Sequence, residues 1–106
     1  PEAPFAEAIR PYCGDELSTD GLAPDFLEPE AVRIFADHHE RELVENGAAG
    51  FKLDECDNGD FLPFAWSFPE YTSFPSGADG EQMHSLYGIL YQRALGTIFR
   101  KRNQRH

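Results

Sequence analysis

Cysteine is scarce in this chain, with Cys13 and Cys56 alone among 106 residues. Two cysteines cannot build a disulfide framework, and their separation lacks the spacing of a zinc site. They read as two unpaired thiols, with a Cys13–Cys56 bridge left open for an oxidising compartment. Basic residues are few as well, 9 against 19 acidic ones, for a formal charge of −10. No nucleic-acid partner is expected over most of such a surface, because gripping phosphates takes a basic footprint. The exception is the tail, where Arg100, Lys101, Arg102 and Arg105 cluster. Cations favoured by the dipole at a helix C-terminus account for them, and a nucleic-acid arm is the alternative.

Long hydrophobic runs are missing too. None approaches the ~20 residues that cross a bilayer, so no membrane partner is expected. The first residues lack the charged and apolar regions of a signal peptide, and no initiator Met is present. Both ends read as cut rather than finished, so the compartment stays open. What the chain does have is apolar and aromatic content, 41% and 13%, which is enough to want a packed core and argues against wholesale disorder.

Residues 1–28 hold four of the eight prolines and little periodicity, so they read mostly as loop, with a short helical turn near Phe5 to Ile9. A helix is expected over 29–46. Pro29 suits the first helical position, where a missing N–H loses nothing, and Glu28 and Glu30 complement the positive end. Val32, Phe35, Ala36, His39 and Leu43 follow a three-and-four spacing, and Gly47 supplies the left-handed residue that ends many helices. A short strand is expected over 49–54, with Phe51 and Leu53 on one face and Lys52 and Asp54 on the other. Residues 55–78 form a long loop, acidic at first and then aromatic. A second helix follows over 79–100, with Asp79 and Gln82 as a capping box and Met83, Leu86, Tyr87, Leu90, Tyr91, Ala94, Leu95 and Ile98 as its apolar face. Loop, helix, strand, loop, helix is about one and a half units of an alternating α/β protein.

The chemistry concentrates after the strand. A carboxylate at a strand end, followed by an acidic and aromatic loop, suits attack on an anomeric carbon. Ionised and held still, Asp54 would also stabilise an oxocarbenium-like transition state. Lys52, two residues earlier on the same face, would keep Asp54 ionised or donate to sugar hydroxyls. Trp66 offers an apolar face for sugar C–H groups, with a place in the core as the alternative. Asp54 itself could be a plain loop or cap acid. A calcium loop fits poorly across 54–65, because Cys56 takes the third position and Ala65 the twelfth, where a bidentate Glu belongs. The adjacent His38 and His39 point different ways on a helix, whereas two metal ligands on one face want i, i+4 spacing. His84 is equally ambiguous. No metal or cofactor is expected.

Three segments are familiar. Residues 23–31, Ala-Pro-Asp-Phe-Leu-Glu-Pro-Glu-Ala, are similar to a "PDFTNPEA" segment. Residues 48–55 are similar to a strand that reads "DGIWIDMNE" or, in another branch, "GFKLDE". Residues 68–84 are similar to the loop and helix of that second branch. Together they resemble glycoside hydrolase family 31, a TIM-barrel family of retaining α-glycosidases, across roughly residues 21–100. The resemblance implies a partial (β/α)8 barrel: the third helix, the fourth strand with its long loop, and the fourth helix. A complete barrel takes ~250 residues, so the remainder would be supplied by the parent chain. It also implies that Asp54 is the nucleophile and that the acid/base lies outside these residues. Lys52 stands where many members have an apolar or aromatic residue, an arrangement shared with related α-galactosidases. That keeps α-glucosides, α-xylosides and α-galactoside-type sugars all in view. A non-catalytic carbohydrate-binding fragment is the competing class, and the isolated 106 residues are expected to be inactive.

Overall fold

The structure is a computed structural model, described here for residues 3–14, 22–53, 68 and 70–103. Helix α1 spans Ala3–Ile9 and tightens into a 3₁₀ turn over Arg10–Tyr12. Helix α2 spans Pro29–His39 and continues as a π-helical turn over Glu40–Val44. Helix α3 spans Gly80–Arg102. Residues 3–12 are thus more helical than the short turn expected there.

The α/β reading is overturned. Among the described residues there is no strand, only two isolated antiparallel bridges, Cys13 to Pro24 and Ser73 to Asp79. Residues 49–53, the described part of the strand expected over 49–54, have no ladder partner among the described residues. Their neighbours are helices: the Phe51 ring lies 5.9 Å from His39 and 6.0 Å from Phe99. A strand exists only through pairing, since extended backbone makes no hydrogen bonds with itself. The side-chain alternation is nevertheless present. Phe51 and Leu53 are half-buried against the core while Lys52 is exposed.

The ends of α2 show local sequence at work. Its first residue is Pro29, and Glu28 stands before it in extended conformation. On its exposed side Arg33 pairs with Glu30 and, at 3.2 Å, with Asp37. The chain leaves the π-helical turn through Gly47, at φ 111°. There the Gly47 N–H donates to the Val44 carbonyl at 3.0 Å and the Ala48 N–H to the Leu43 carbonyl at 3.0 Å. These paired bonds around a left-handed glycine form a Schellman motif, which satisfies carbonyls the helix end would leave orphaned.

The π-helical turn corrects the expected apolar stripe. The Glu45 N–H reaches back five residues to the Glu40 carbonyl at 2.9 Å. Widening the turn by one residue rotates everything after it. Leu43, the next stripe position by α-helical spacing, is 42% exposed, and Val44 packs on the core in its place.

Aromatic rings join the helices. Phe26, just before α2, sits 5.0 Å from Phe35, 5.2 Å from Tyr87 and 5.6 Å from Tyr91. Phe35 meets Tyr91 edge-on at 5.6 Å. Phe68 extends the cluster to Tyr87 at 4.8 Å and Phe74 at 5.3 Å. Met83 and Ile98 of α3 are fully buried beneath it. Tilted and edge-to-face rings at these separations add to area burial through their quadrupoles. At the far end of α3, Lys101 and Arg102 pair with Glu40 at 3.3 and 3.0 Å, and Arg102 with Glu45 at 3.4 Å. Two of the four tail cations therefore bind this chain's own carboxylates.

Candidate functional site

Of the three residues singled out for chemistry, Lys52 is described, while Asp54 and Trp66 lie outside the described residues. The acidic segment weighed as a calcium loop lies outside them too, as does Cys56. What the structure shows is the frame on both sides of that segment.

The entry side is built by α2 and its Schellman turn. His39, the last residue of α2, carries the contact that seats residues 50–53. Its ring lies 4.0 Å from Phe35, on its own helix, and meets Phe51 edge-on at 5.9 Å. Its Nδ1 is 2.8 Å from the Phe35 carbonyl, a spacing that suits a proton on Nδ1. Burial holds the His39 pKa below the usual imidazole value; the Phe35 carbonyl opposes this and the neighbouring His38 adds to it. The imidazole is therefore neutral at pH 7 and acts as a packing ring. With Phe51 and Leu53 turned inward, Lys52 projects outward two residues before Asp54.

The exit side is a tight turn leading into α3. The Phe74 N–H donates to the Ala78 carbonyl at 3.1 Å, and the Gly77 N–H to the Phe74 carbonyl at 2.9 Å. Gly77 has φ 90°, a conformation open to glycine at little cost. Asp79 then caps α3: its Oδ1 accepts the Gln82 N–H at 2.8 Å, while the Asp79 N–H donates to Gln82 Oε1 at 3.1 Å. This is the reciprocal capping box expected from those two residue types.

Asp25 joins the two sides. Its carboxylate is fully buried, with Oδ1 accepting the Leu27 N–H at 3.0 Å and Oδ2 the Ser76 N–H at 2.7 Å. Its own N–H donates to the Tyr12 carbonyl at 2.7 Å. Three segments, 12–14, 22–28 and 74–79, converge there. Gly14 belongs to the same junction, because a Cβ at that position would stand 2.6 Å from the Phe74 ring. Asp25 was quoted within a motif but given no role by sequence reasoning. The available signal was a lone acid inside an apolar run, Ala23 to Phe26, two residues before the Leu27 N–H it accepts.

Other polar features stand apart from this frame. Cys13 is a free thiol whose Sγ lies 3.3 Å from the Ile9 carbonyl, and burial pushes its pKa up. A groove of about 520 Å³ between α1 and α2 is lined by residues including Phe5, Ile34, His38 and Arg41, and Lys52 is not among them. The His38 ring stacks on Phe5 at 4.2 Å. Among the described residues no helix is long and apolar enough to cross a membrane.

Residues 6–106 match the glycosyl hydrolases family 31 TIM-barrel domain, and the chain belongs to that family. Membership makes the parent protein a glycoside hydrolase. No curated protein matches the chain.

Proposed function

We propose that this chain supplies the nucleophile of a retaining α-glycosidase, and that Asp54 is that nucleophile. The observation carrying the proposal is the family match across residues 6–106, together with the Lys52-Leu53-Asp54 spacing inside it. In the first step an Asp54 carboxylate oxygen attacks the anomeric carbon as the glycosidic C–O bond breaks. The departing oxygen takes a proton from a second carboxyl group. In the second step that group removes a proton from water, whose oxygen displaces Asp54. Two inversions at one carbon return the original configuration.

The second carboxyl group lies outside these 106 residues in this reading, so the chain alone is inactive. One carboxylate cannot both attack and protonate the leaving group. Lys52 has two uses in such a site: its ammonium favours the ionised form of Asp54, and it donates hydrogen bonds to sugar hydroxyls. Trp66 provides a stacking face. The substrates are α-glucosides, α-xylosides or α-galactoside-type sugars. The macromolecular partner is the rest of the parent polypeptide, with no role for nucleic acid or a membrane.

The test uses the full-length protein. Asp54→Ala should reduce hydrolysis of aryl α-glycosides by at least about 10⁴-fold, the scale of losing a covalent nucleophile. A fluoroglycoside that traps the intermediate should add one sugar mass to the peptide bearing Asp54 in the wild type alone. Undiminished hydrolysis by Asp54→Ala would sink the assignment.

A further inference from the structure

A fully buried carboxylate that bonds two backbone N–H groups, one of them 51 residues away, is an unusual expense for a fold this small. Removing a carboxylate from water is unfavourable unless donors replace the lost hydration. Here both oxygens are bonded, at 3.0 and 2.7 Å. What those donors belong to gives the arrangement meaning. Leu27 lies two residues before Pro29, the first residue of α2, and the Glu28 N–H closes the same turn on the Asp25 carbonyl at 2.9 Å. Ser76 lies three residues before Asp79, the cap of α3. The carboxylate thus holds the start of one helix to the start of the next.

We infer that Asp25 is a positioning residue, which sets the distance between the start of α2 and the turn entering α3 and so fixes the frame that carries residues 54–67. As far as catalysis is concerned, the inference rests on the glycosidase reading above. Leu53 and Phe68, which bracket residues 54–67 in sequence, both pack on the core. The junction has little slack on the return side. Phe74 sits on Gly14 too closely for a Cβ, and Gly14 is itself held by its N–H bond to the Ala23 carbonyl at 3.0 Å. Charge-assisted bonds from a carboxylate are short and directional, so Asp25 fixes an orientation that packing of Phe74 alone would leave adjustable.

Asp25→Asn in the full-length protein separates positioning from bulk stability. The amide keeps the shape but turns an N–H₂ group toward one of the two donors. Hydrogen exchange at the Leu27 and Ser76 amides should accelerate by about tenfold or more. KM for an aryl α-glycoside should rise about tenfold with kcat within about threefold, the pattern of lost substrate placement rather than lost chemistry. Ser76→Ala is the control and should change neither, because only the backbone N–H of Ser76 is used. If Asp25→Asn does not fold, Ser76→Pro removes the one donor, leaves the Leu27 bond, and should raise KM in the same direction.

Unchanged exchange at both amides would overturn the inference. So would faster exchange with KM unaltered, or kcat falling only in step with the folded fraction. Failure of the glycosidase reading shows elsewhere, as activity surviving Asp54→Ala, and the exchange result judges the Asp25 clamp independently of it.

Discussion

At the scale of single residues, His39 shows how burial turns a titratable group into a packing element. Its neutral ring fills the space between Phe35 and Phe51, and its lowered pKa means the folded state disfavours the proton. The sign follows by linkage. A histidine with a depressed folded value contributes fully above its unfolded value of about 6.5, and that contribution is lost as pH falls from there through the folded value. The urea midpoint should therefore fall between pH 7.5 and pH 5, and fall less in His39→Leu. Equal slopes for the two proteins would show that His39 does not couple folding to protons. Asp25 makes the contrast, because its role could not be read locally. Its partner Ser76 is 51 residues away, and no pattern around Asp25 names it.

At the scale of elements, what was legible depended on how local the cause was. Pro29, Gly47 and the Asp79–Gln82 pair act within four residues, and each does in the structure what its chemistry dictates. Asp79→Ala removes the side-chain half of the reciprocal cap, the acceptor for the Gln82 N–H, and should cost α3 about 1 kcal/mol, read as a shift in the urea midpoint with unchanged slope. The stripe of α2 was legible as far as His39 and then failed at Leu43. The π-helical turn opens at Glu40, whose carboxylate pairs with Lys101 and Arg102, 61 and 62 residues on, and spacing within the helix gives no sign of it. Alternation in residues 50–53 was real, yet alternation describes which side chains are buried and does not supply a neighbouring strand. That is why the α/β reading failed although Phe51 and Lys52 do lie on opposite sides, Phe51 on the core and Lys52 exposed. Of the candidate site, Lys52 was placed and Asp54 and Trp66 fall outside the described residues.

At the scale of the whole molecule, one aromatic cluster unites every described helix. Phe26 stands at its centre, in ring contact with Phe35, Tyr87 and Tyr91, and Phe5 ties α1 to it through Phe35 at 6.2 Å. Phe26→Ala removes the shared partner and should cost about 3–5 kcal/mol, a large part of what a domain of this size has. Near-UV circular dichroism should weaken with it, as the tyrosines lose a fixed environment. A variant as stable as the wild type would mean that α2 and α3 are held by something other than these rings.

The Asp25–Ser76 bond also orders events in time. A ribosome adding about 5–20 residues per second needs several seconds to pass from the codon for Asp25 to that for Ser76. Within that interval, once Gly47 has been added, α2 has both its proline start and its glycine stop in the chain. The carboxylate before it, however, has only the Leu27 N–H to satisfy it. The second donor arrives with the turn that opens α3, so the start of one helix completes the burial of an acid placed before another. A nascent chain stalled before residue 76 would leave Asp25 Oδ2 without the Ser76 N–H that it accepts in the folded protein.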